Sequence, residues 1–517
     1  MLNQYPTITL MSLYDPDAIG IRTLSTFVKE TENVTINQIY FKNLFPSVYP
    51  YSEKEITLLI DKIKELNTEL LGISLRSSSW KTAVVLIKKI RETLPQVKII
   101  IGGTHAILSP DECLTIADIV CIGEGEYPFL HLVKSYSKDL TKSTNIQGLW
   151  FNLDGHIYKN EINPLIDIND IPVINYSNKN KWYIENDNLT IGDPITGNAV
   201  AEVFSSRGCP YHCSFCSNSI LKDIMHKGRF VRVRSVDNII KDIDNVIKYF
   251  PNLKKLVFGD EVFAFNKKWT IEFCQKYKEH FDLPFAALFS PRSLKEDSIK
   301  MLSEVGLTHG RIGTQSGSET VRIELYGRKE YDHSIINAAN IFHKYKVRFT
   351  FDTIVNNPYE TEEDMRRSLE FYTQIPHPFE MNMHSLVYFP KTELTVKALK
   401  DNIITPDQVE GATDDALRLN HVLIKNKKMA YNYPNNLFWN CLFSLTSKSF
   451  IPKKLIFFIS NRVFLRNNPV YLLYLANLAN LINVGFIGIG LLIRNEITFK
   501  DVFVALKSFK ALISVNK

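Results

Sequence analysis

Short apolar runs alternate with helically spaced ones along the first 140 residues. ITLMSL, LLGISL, VKIIIGG and ADIVCIGEGE read as strands, the last two ending in glycine turns. KEITLLIDKIKEL, KTAVVLIKKIRETL and PFLHLVKSYS carry the spacing of amphipathic helices. Strands separated by helices predict a parallel, doubly wound α/β sheet. Ligands of such sheets bind beyond the carboxyl ends of the strands, which directs attention to Arg76–Trp80, Gly102–His105 and Gly123–Glu126.

The pattern weakens over 141–198, where IDINDIPVINYSNKNK reads as a surface linker. It resumes at AVAEVFSSRG and runs to about residue 400. KLVFGD, FAALFS, HGRIGTQ, FTFDTIV and MHSLVYF are strand candidates with helical stretches between most of them. This predicts a second α/β unit over 199–400, an incomplete barrel. Residues 401–517 read as mostly helical. Within them PVYLLYLANLANLINVGFIGIGLLI, 469–493, is uncharged and bracketed by Arg466 and Arg494. A membrane span needs ~20 apolar residues. The stretch reads first as a buried helix pair broken near Val484-Gly485. Its second reading is a helix that associates with a membrane through 467–493, with Asn477, Asn480 and Asn483 as one polar stripe.

Composition is globular: 517 residues, 45% hydrophobic and 22% charged, with a net charge of +6 that is mild for this length. No basic run interleaved with aromatics points to nucleic acid. The seven cysteines are odd in number, and Cys209, Cys213 and Cys216 crowd into eight residues, which does not fit a secreted disulfide framework. No basic region followed by an apolar run opens the chain, so the expected compartment is the cytoplasm, with a location peripheral to the membrane as the variant.

SSRGCPYHCSFCSNS places Cys209, Cys213 and Cys216 directly after a predicted strand. Soft thiolates at this spacing suit an iron–sulfur cluster or zinc. Three thiolates on a [4Fe–4S] cube leave one iron without a protein ligand. Zinc requires a fourth donor, for which His212 is the nearest candidate.

CxxxCxxC with an aromatic residue, Phe215, before the last cysteine resembles the radical S-adenosylmethionine superfamily. The resemblance implies that S-adenosylmethionine (SAM) binds the open iron and is split by one electron into methionine and a 5′-deoxyadenosyl radical. Further elements follow in the family's order. Gly259, Asp260 and Glu261 in LVFGDEVF resemble the element that receives the methionine amino group. RIGTQSGSE resembles the family's G-x-E-S-G-S segment, with Gln315 replacing the glutamate and Ser316 retained. NNPYETEEDM resembles the turn after the fifth strand, where Thr361 and Asp364 also fit a capping box. VYFPKTEL, with Pro390, resembles the sixth-strand element near the adenine.

GGTHAILSPDE and DIVCIGEGE resemble the cobalamin-binding domain that precedes the barrel in many of these enzymes. The resemblance makes residues 1–140 a Rossmann-like cobalamin-binding domain and 199–400 a partial (β/α)6 barrel. It implies cobalamin contacts at Arg76, Ser77, Ser78, Gly102, Gly103, His105, Gly123, Glu124, Gly125 and Glu126. No Asp-x-His-x-x-Gly motif supplies a histidine to cobalt, and no G-x-G-x-x-G favours a dinucleotide. The implied activity is cobalamin-dependent methylation of an unactivated carbon of a small-molecule or lipid substrate, driven by a reductant such as flavodoxin or ferredoxin. Radical cyclisation or rearrangement, and a non-methylating reaction on a lipid or isoprenoid, stand beside it.

Overall fold

The computed structural model of the chain describes residues 5–43, 50–136, 140–225, 227–264, 266–409 and 434–493. Five parallel strands open it: β1 (Ile8–Leu13), β2 (Ile36–Phe41), β3 (Leu70–Ser74), β4 (Lys98–Gly102) and β5 (Ile119–Cys121), in the order β5-β4-β3-β1-β2. β2 escaped the sequence pattern, because INQIYF interleaves Asn37 and Gln38 with apolar positions yet is buried throughout. Gln38 is satisfied there, donating to Ser25 Oγ at 2.9 Å. The strand order reverses between β1 and β3, and a crevice opens at such a reversal.

Residues 141–198 are more than a linker. β6 (Leu149–Leu153) and β7 (His156–Lys159) form an antiparallel hairpin on β5. β8 (Lys181–Glu185) and β9 (Asn188–Ile191) add a second hairpin beyond β2, completing nine strands. Both turns carry two consecutive left-handed residues, Asp154-Gly155 and Asn186-Asp187, as tight hairpins demand. Residues 166–180 form no strand or helix, but Ile166, Ile168, Ile171 and Tyr176 are buried, so this segment packs into the core instead of lying on the surface.

The second unit begins with β10 (Val200–Val203), followed by the short antiparallel pair β11 (Ser206–Arg207) and β12 (Arg232–Val233). β13 (Lys255–Phe258), β14 (Phe285–Phe289), β15 (Leu307–Gln315), β16 (Arg348–Val355) and β17 (Glu380–Ser385) continue parallel to β10 in sequential order. This is a six-stranded partial barrel. Phe258, Phe285, Ile312, Phe349 and Phe351 face the outer helices and form the core. Alternate positions, among them Arg311, Asp352 and Asn382, therefore face the inside.

The C-terminal helices are Pro434–Thr446, Lys453–Ser460, Val463–Asn467 and Pro469–Ile493. The first packs on the barrel helix Glu362–Gln374, with Phe443 edge-on to Tyr372 at 5.4 Å and Arg366 over Trp439 at 5.5 Å. Pro469–Ile493 is one continuous helix, not a pair broken near Val484-Gly485. A glycine inside a helix costs only about 1 kcal/mol against alanine, too little to interrupt the backbone ladder.

Candidate active site

β10 runs into the cysteine loop. Gly208 precedes the first thiol with φ +86°, and a Cβ there would lie 2.4 Å from Phe230 O, so the turn requires glycine. Cys209, Cys213 and Cys216 are all free. Ser214 fixes the loop from three sides: its N–H donates to Tyr326 O (3.1 Å), its Oγ donates to Leu325 O (2.6 Å), and its carbonyl accepts from Leu394 N (2.9 Å). Phe215 packs edge-on against Tyr326 at 4.9 Å.

Burial raises all three thiols, Cys209 to about 11 and Cys216 to about 12, and the charges of Cys213 and Glu261 push both further up. Arg328 works in the other direction on Cys213, whose rise is also led by burial, with Nη1 3.5 Å from Sγ. The thiols thus share one region. Among the described residues, no three His, Cys, Asp or Glu side chains converge as a single ion would require. His212 faces Asp223 (3.2 Å) and Glu393 (3.9 Å). A trio of thiols without a fourth protein donor fits a cluster with one open iron better than tetrahedral zinc.

The switch point of the first sheet holds a cavity of about 210 Å³, lined by Gly72, Gly102, Gly103, Gly123, Gly125 and Arg207 among others. Gly103 has φ +96°, and a Cβ there would lie 2.7 Å from Leu75 O. Such a glycine-lined slot fits a flat or extended cofactor tail that must approach the backbone closely. His105 is 2% exposed, bonded through Nδ1 to Ser77 Oγ at 2.9 Å and tilted over Trp80 at 4.9 Å. It therefore braces the turn. Glu112 lies 3.4 Å from its Nε2 and favours the charged ring, but burial dominates and lowers its pKa to about 4. Arg76 is largely exposed and pairs with Asp15 at 2.7 Å. Ser78 is half-buried beside it.

Glu124 and Glu126 line the same cavity and tie it to the barrel. Arg207 donates to Glu124 Oε1 (3.1 Å) and Glu126 Oε1 (2.6 Å). Arg232 adds a two-pronged contact to Glu124 (2.9 and 2.6 Å) and bonds Ile166 O. The cysteine loop and the glycine turn are thus clamped together by β11 and β12.

Comparison with known proteins agrees with both halves of this site. Residues 203–372 match the family model "Radical SAM superfamily" and residues 7–133 match "B12 binding domain". The chain belongs to the B12-binding radical SAM enzymes. It is 26% identical over 412 residues to an uncharacterized methyltransferase of Pyrococcus horikoshii, covering 78% of this chain and 83% of that one. It is 27% identical over 284 residues to an anaerobic magnesium-protoporphyrin IX monomethyl ester cyclase of Cereibacter sphaeroides, covering 52% of this chain and 44% of the cyclase. Among solved structures, the cobalamin-dependent SAM radical enzyme OxsB with aqua-cobalamin superposes with a TM-score of 0.65 at 16% identity, covering 99% of this chain and 84% of that one. At that identity the likeness is one of fold.

Within this radical SAM barrel, the expected SAM contacts divide into two groups. Asp260 is not free for an amino group. It is 2% exposed and accepts from Ser205 N (3.1 Å), Ser205 Oγ (2.8 Å) and Ser206 Oγ. Burial raises its pKa to about 6 despite these bonds. Gly259 serves packing, since a Cβ would lie 2.5 Å from Glu202 Oε1 and 2.6 Å from the Phe204 ring. Ser316 is buried and donates to Glu360 Oε1 at 2.7 Å. Glu261 is exposed near the thiols, and Gln315, with φ +66°, folds back over Gly313 at the end of β15. Pro390 lies in the turn before Thr392, which caps the helix Glu393–Lys400 whose Leu394 bonds the cysteine loop. The capping box at Thr361 and Asp364 is present.

His384 apart, three groups lay outside the site residues read from the sequence. Arg328 is 115 residues from the thiol it faces, and Glu330 holds it at 2.8 Å while Gly313 O accepts at 2.7 Å. Glu202 sits at the mouth of β10, raised by burial to about 7. On the inner wall Arg311 makes two 2.9 Å bonds to Asp352, which also accepts from Asn382 at 2.8 Å, and Asn382 contacts His384 at 2.9 Å. Tyr388 is buried, and Tyr431 lies outside the described residues.

Proposed function

We propose that this protein cleaves SAM reductively and methylates an unactivated carbon of a small molecule with the help of cobalamin. One observation carries the reading: the loop bearing three free thiols and the glycine-lined slot of the first domain are joined through Arg207. Both cofactors would then open onto one space.

Cys209, Cys213 and Cys216 would hold the [4Fe–4S] cluster, and Gly72, Gly102, Gly103, Gly123 and Gly125 would admit the cobalamin tail. When bound, these groups supply one electron to the sulfonium and a methyl group to the product. The protein's own part is positional. Ser214 and Phe215 hold the loop rigid, and Arg328 opposes the negative charge at Cys213. Glu261 and Gln315 remain available to a SAM amino group and ribose, whereas Asp260, Ser316 and Pro390 shape their surroundings. The inner wall of Arg311, Asp352, Asn382 and His384 is half-open and polar, and we assign the substrate to it. An external reductant such as flavodoxin or ferredoxin supplies the electron, and residues 467–493 bring the enzyme to a membrane.

Anaerobic reconstitution tests the reading. Wild-type protein should bind iron and cobalamin and form 5′-deoxyadenosine, S-adenosylhomocysteine and a product heavier by one methylene. Cys213→Ala should lose iron and 5′-deoxyadenosine formation; retention of both would overturn the assignment. The cyclase relative supports a second reading, radical cyclisation. A product lighter by two hydrogens, formed without S-adenosylhomocysteine, would select it.

A further inference from the structure

The helix Pro469–Ile493 has its amphipathicity inverted. Leu472, Leu473, Ala476 and Ala479 are 4% exposed or less and pack toward the helix Pro434–Thr446. The asparagines share that inner side, Asn480 accepting from Ser444 Oγ at 3.3 Å, with Asn477 and Asn483 half-buried. The outward side is apolar. Tyr471, Tyr474, Leu478, Leu481 and Ile489 are between 50% and 60% exposed, and Ile493 is 79% exposed. At 3.6 residues per turn these six positions fall within an arc of about 120°. The expected polar stripe therefore faces the protein, and the oily stripe faces outward.

The exposed surface continues onto the two preceding helices. Phe458, Val463 and Phe464 are 54%, 68% and 65% exposed, and Phe464 stacks on Tyr471 at 5.9 Å. Contiguous apolar surface of this kind marks a binding or membrane face. Charge identifies the occupant. Residues 434–494 contain six Lys and Arg and no Asp or Glu, a local excess equal to the net +6 of the whole chain. Lys453, Lys454 and Arg462 are exposed beside the patch, and Arg462 lies 3.8 Å above the Phe458 ring.

We infer that these three helices form a one-sided docking face for an anionic lipid bilayer, with Pro469–Ile493 lying in the membrane plane. The helix does not span, because its inner side is occupied by Pro434–Thr446, which is itself packed on the barrel. Apolar side chains enter one leaflet while the basic residues meet its headgroups. Asn440, on the helix beneath, bonds Asn356 at the carboxyl end of β16 (2.9 Å), so the docked face lies one helix away from the barrel mouth. This extends the membrane association proposed above and is independent of the chemistry at the cluster.

Flotation of the full-length protein decides it. The protein should float with vesicles of phosphatidylcholine mixed with phosphatidylglycerol, less with phosphatidylcholine alone, and less again in high salt. A triple variant, Phe464→Ser with Leu478→Asn and Leu481→Asn, should stay at the bottom. Lys453→Gln with Lys454→Gln should weaken partitioning about fivefold per charge removed. SAM cleavage is measured on every sample: unchanged cleavage shows that the variants are folded and leaves the reaction assignment standing whatever the vesicles report. Absence of flotation with either vesicle, or undiminished flotation of the triple variant, overturns the inference. So does a stable dimer that the same substitutions dissolve without any vesicle binding, which would make the face a contact between two copies.

Discussion

Arg207 Nη2 lies 2.6 Å from Glu126 Oε1, joining a residue two positions before the first thiol to the glycine turn that ends β5. The same guanidinium reaches Glu124, which Arg232 holds from the other strand of the ribbon. A forked cation between two carboxylates fixes orientation as well as distance. The gap between the cysteine loop and the glycine turn is therefore set by a side chain.

Loss of that fork should uncouple the reaction. Arg207→Gln is expected to keep SAM cleavage while methylated product falls, by as much as about 100-fold, since small misplacements of reacting groups carry such costs. Arg207→Lys should recover only part, because an ammonium cannot span both carboxylates. The ratio of 5′-deoxyadenosine to methylated product measures it.

Asp260 and Glu261 are adjacent, but their variants should behave differently. Asp260→Ala orphans the Ser205 N–H and two hydroxyls in a buried site and should cost about 2–3 kcal/mol of stability. Exposed Glu261→Gln should change stability by less than about 0.5 kcal/mol yet raise the KM for SAM. Thermal unfolding and SAM kinetics on the two proteins separate anchor from ligand.

Acid should loosen the first domain through His105. Its folded pKa is about 4, below the ordinary value of 6.5. The unfolded chain then binds more protons between those limits, so stability falls as pH drops from 6.5 towards 4, by up to about 1.4 kcal/mol per unit. His105→Asn should flatten that slope. Denaturant titrations of both proteins at pH 7 and pH 5 provide the comparison.

Gly103→Ala should damage both the domain and its ligand. The left-handed backbone and the contact with Leu75 O cost about 1–3 kcal/mol and tilt the turn into the slot. A lower Tm together with lost cobalamin retention is the expected result, checked by the visible spectrum after desalting.

Arg311→Met should leave SAM cleavage without substrate intact and raise the KM for the methyl acceptor, because Arg311 lies on the inner wall and pairs with Asp352 there. A variant that loses both equally would place Arg311 in the scaffold instead.

The three thiols, the strand-and-helix alternation and the glycine turns were legible because each is a local pattern, written within a few residues. The two hairpins of 141–198 were missed in spite of the turn pairs Asp154-Gly155 and Asn186-Asp187, because the polar composition around them suggested a linker. β2 was hidden because its buried Gln38 depends on Ser25 from a helix.

What the sequence by itself determined is the chemistry available: soft ligands at a fixed spacing, two α/β units in a fixed order, and one uncharged stretch of 25 residues. Only the tertiary structure decided which groups are free to use it. It tied Asp260 to Ser205 and Ser206, brought Arg328 to Cys213, joined Arg207 to Glu126, and turned the asparagines of 469–493 inward. These outcomes depend on which surfaces meet across tens to hundreds of residues, and a carboxylate or helix face acquires its role from whatever the fold packs against it.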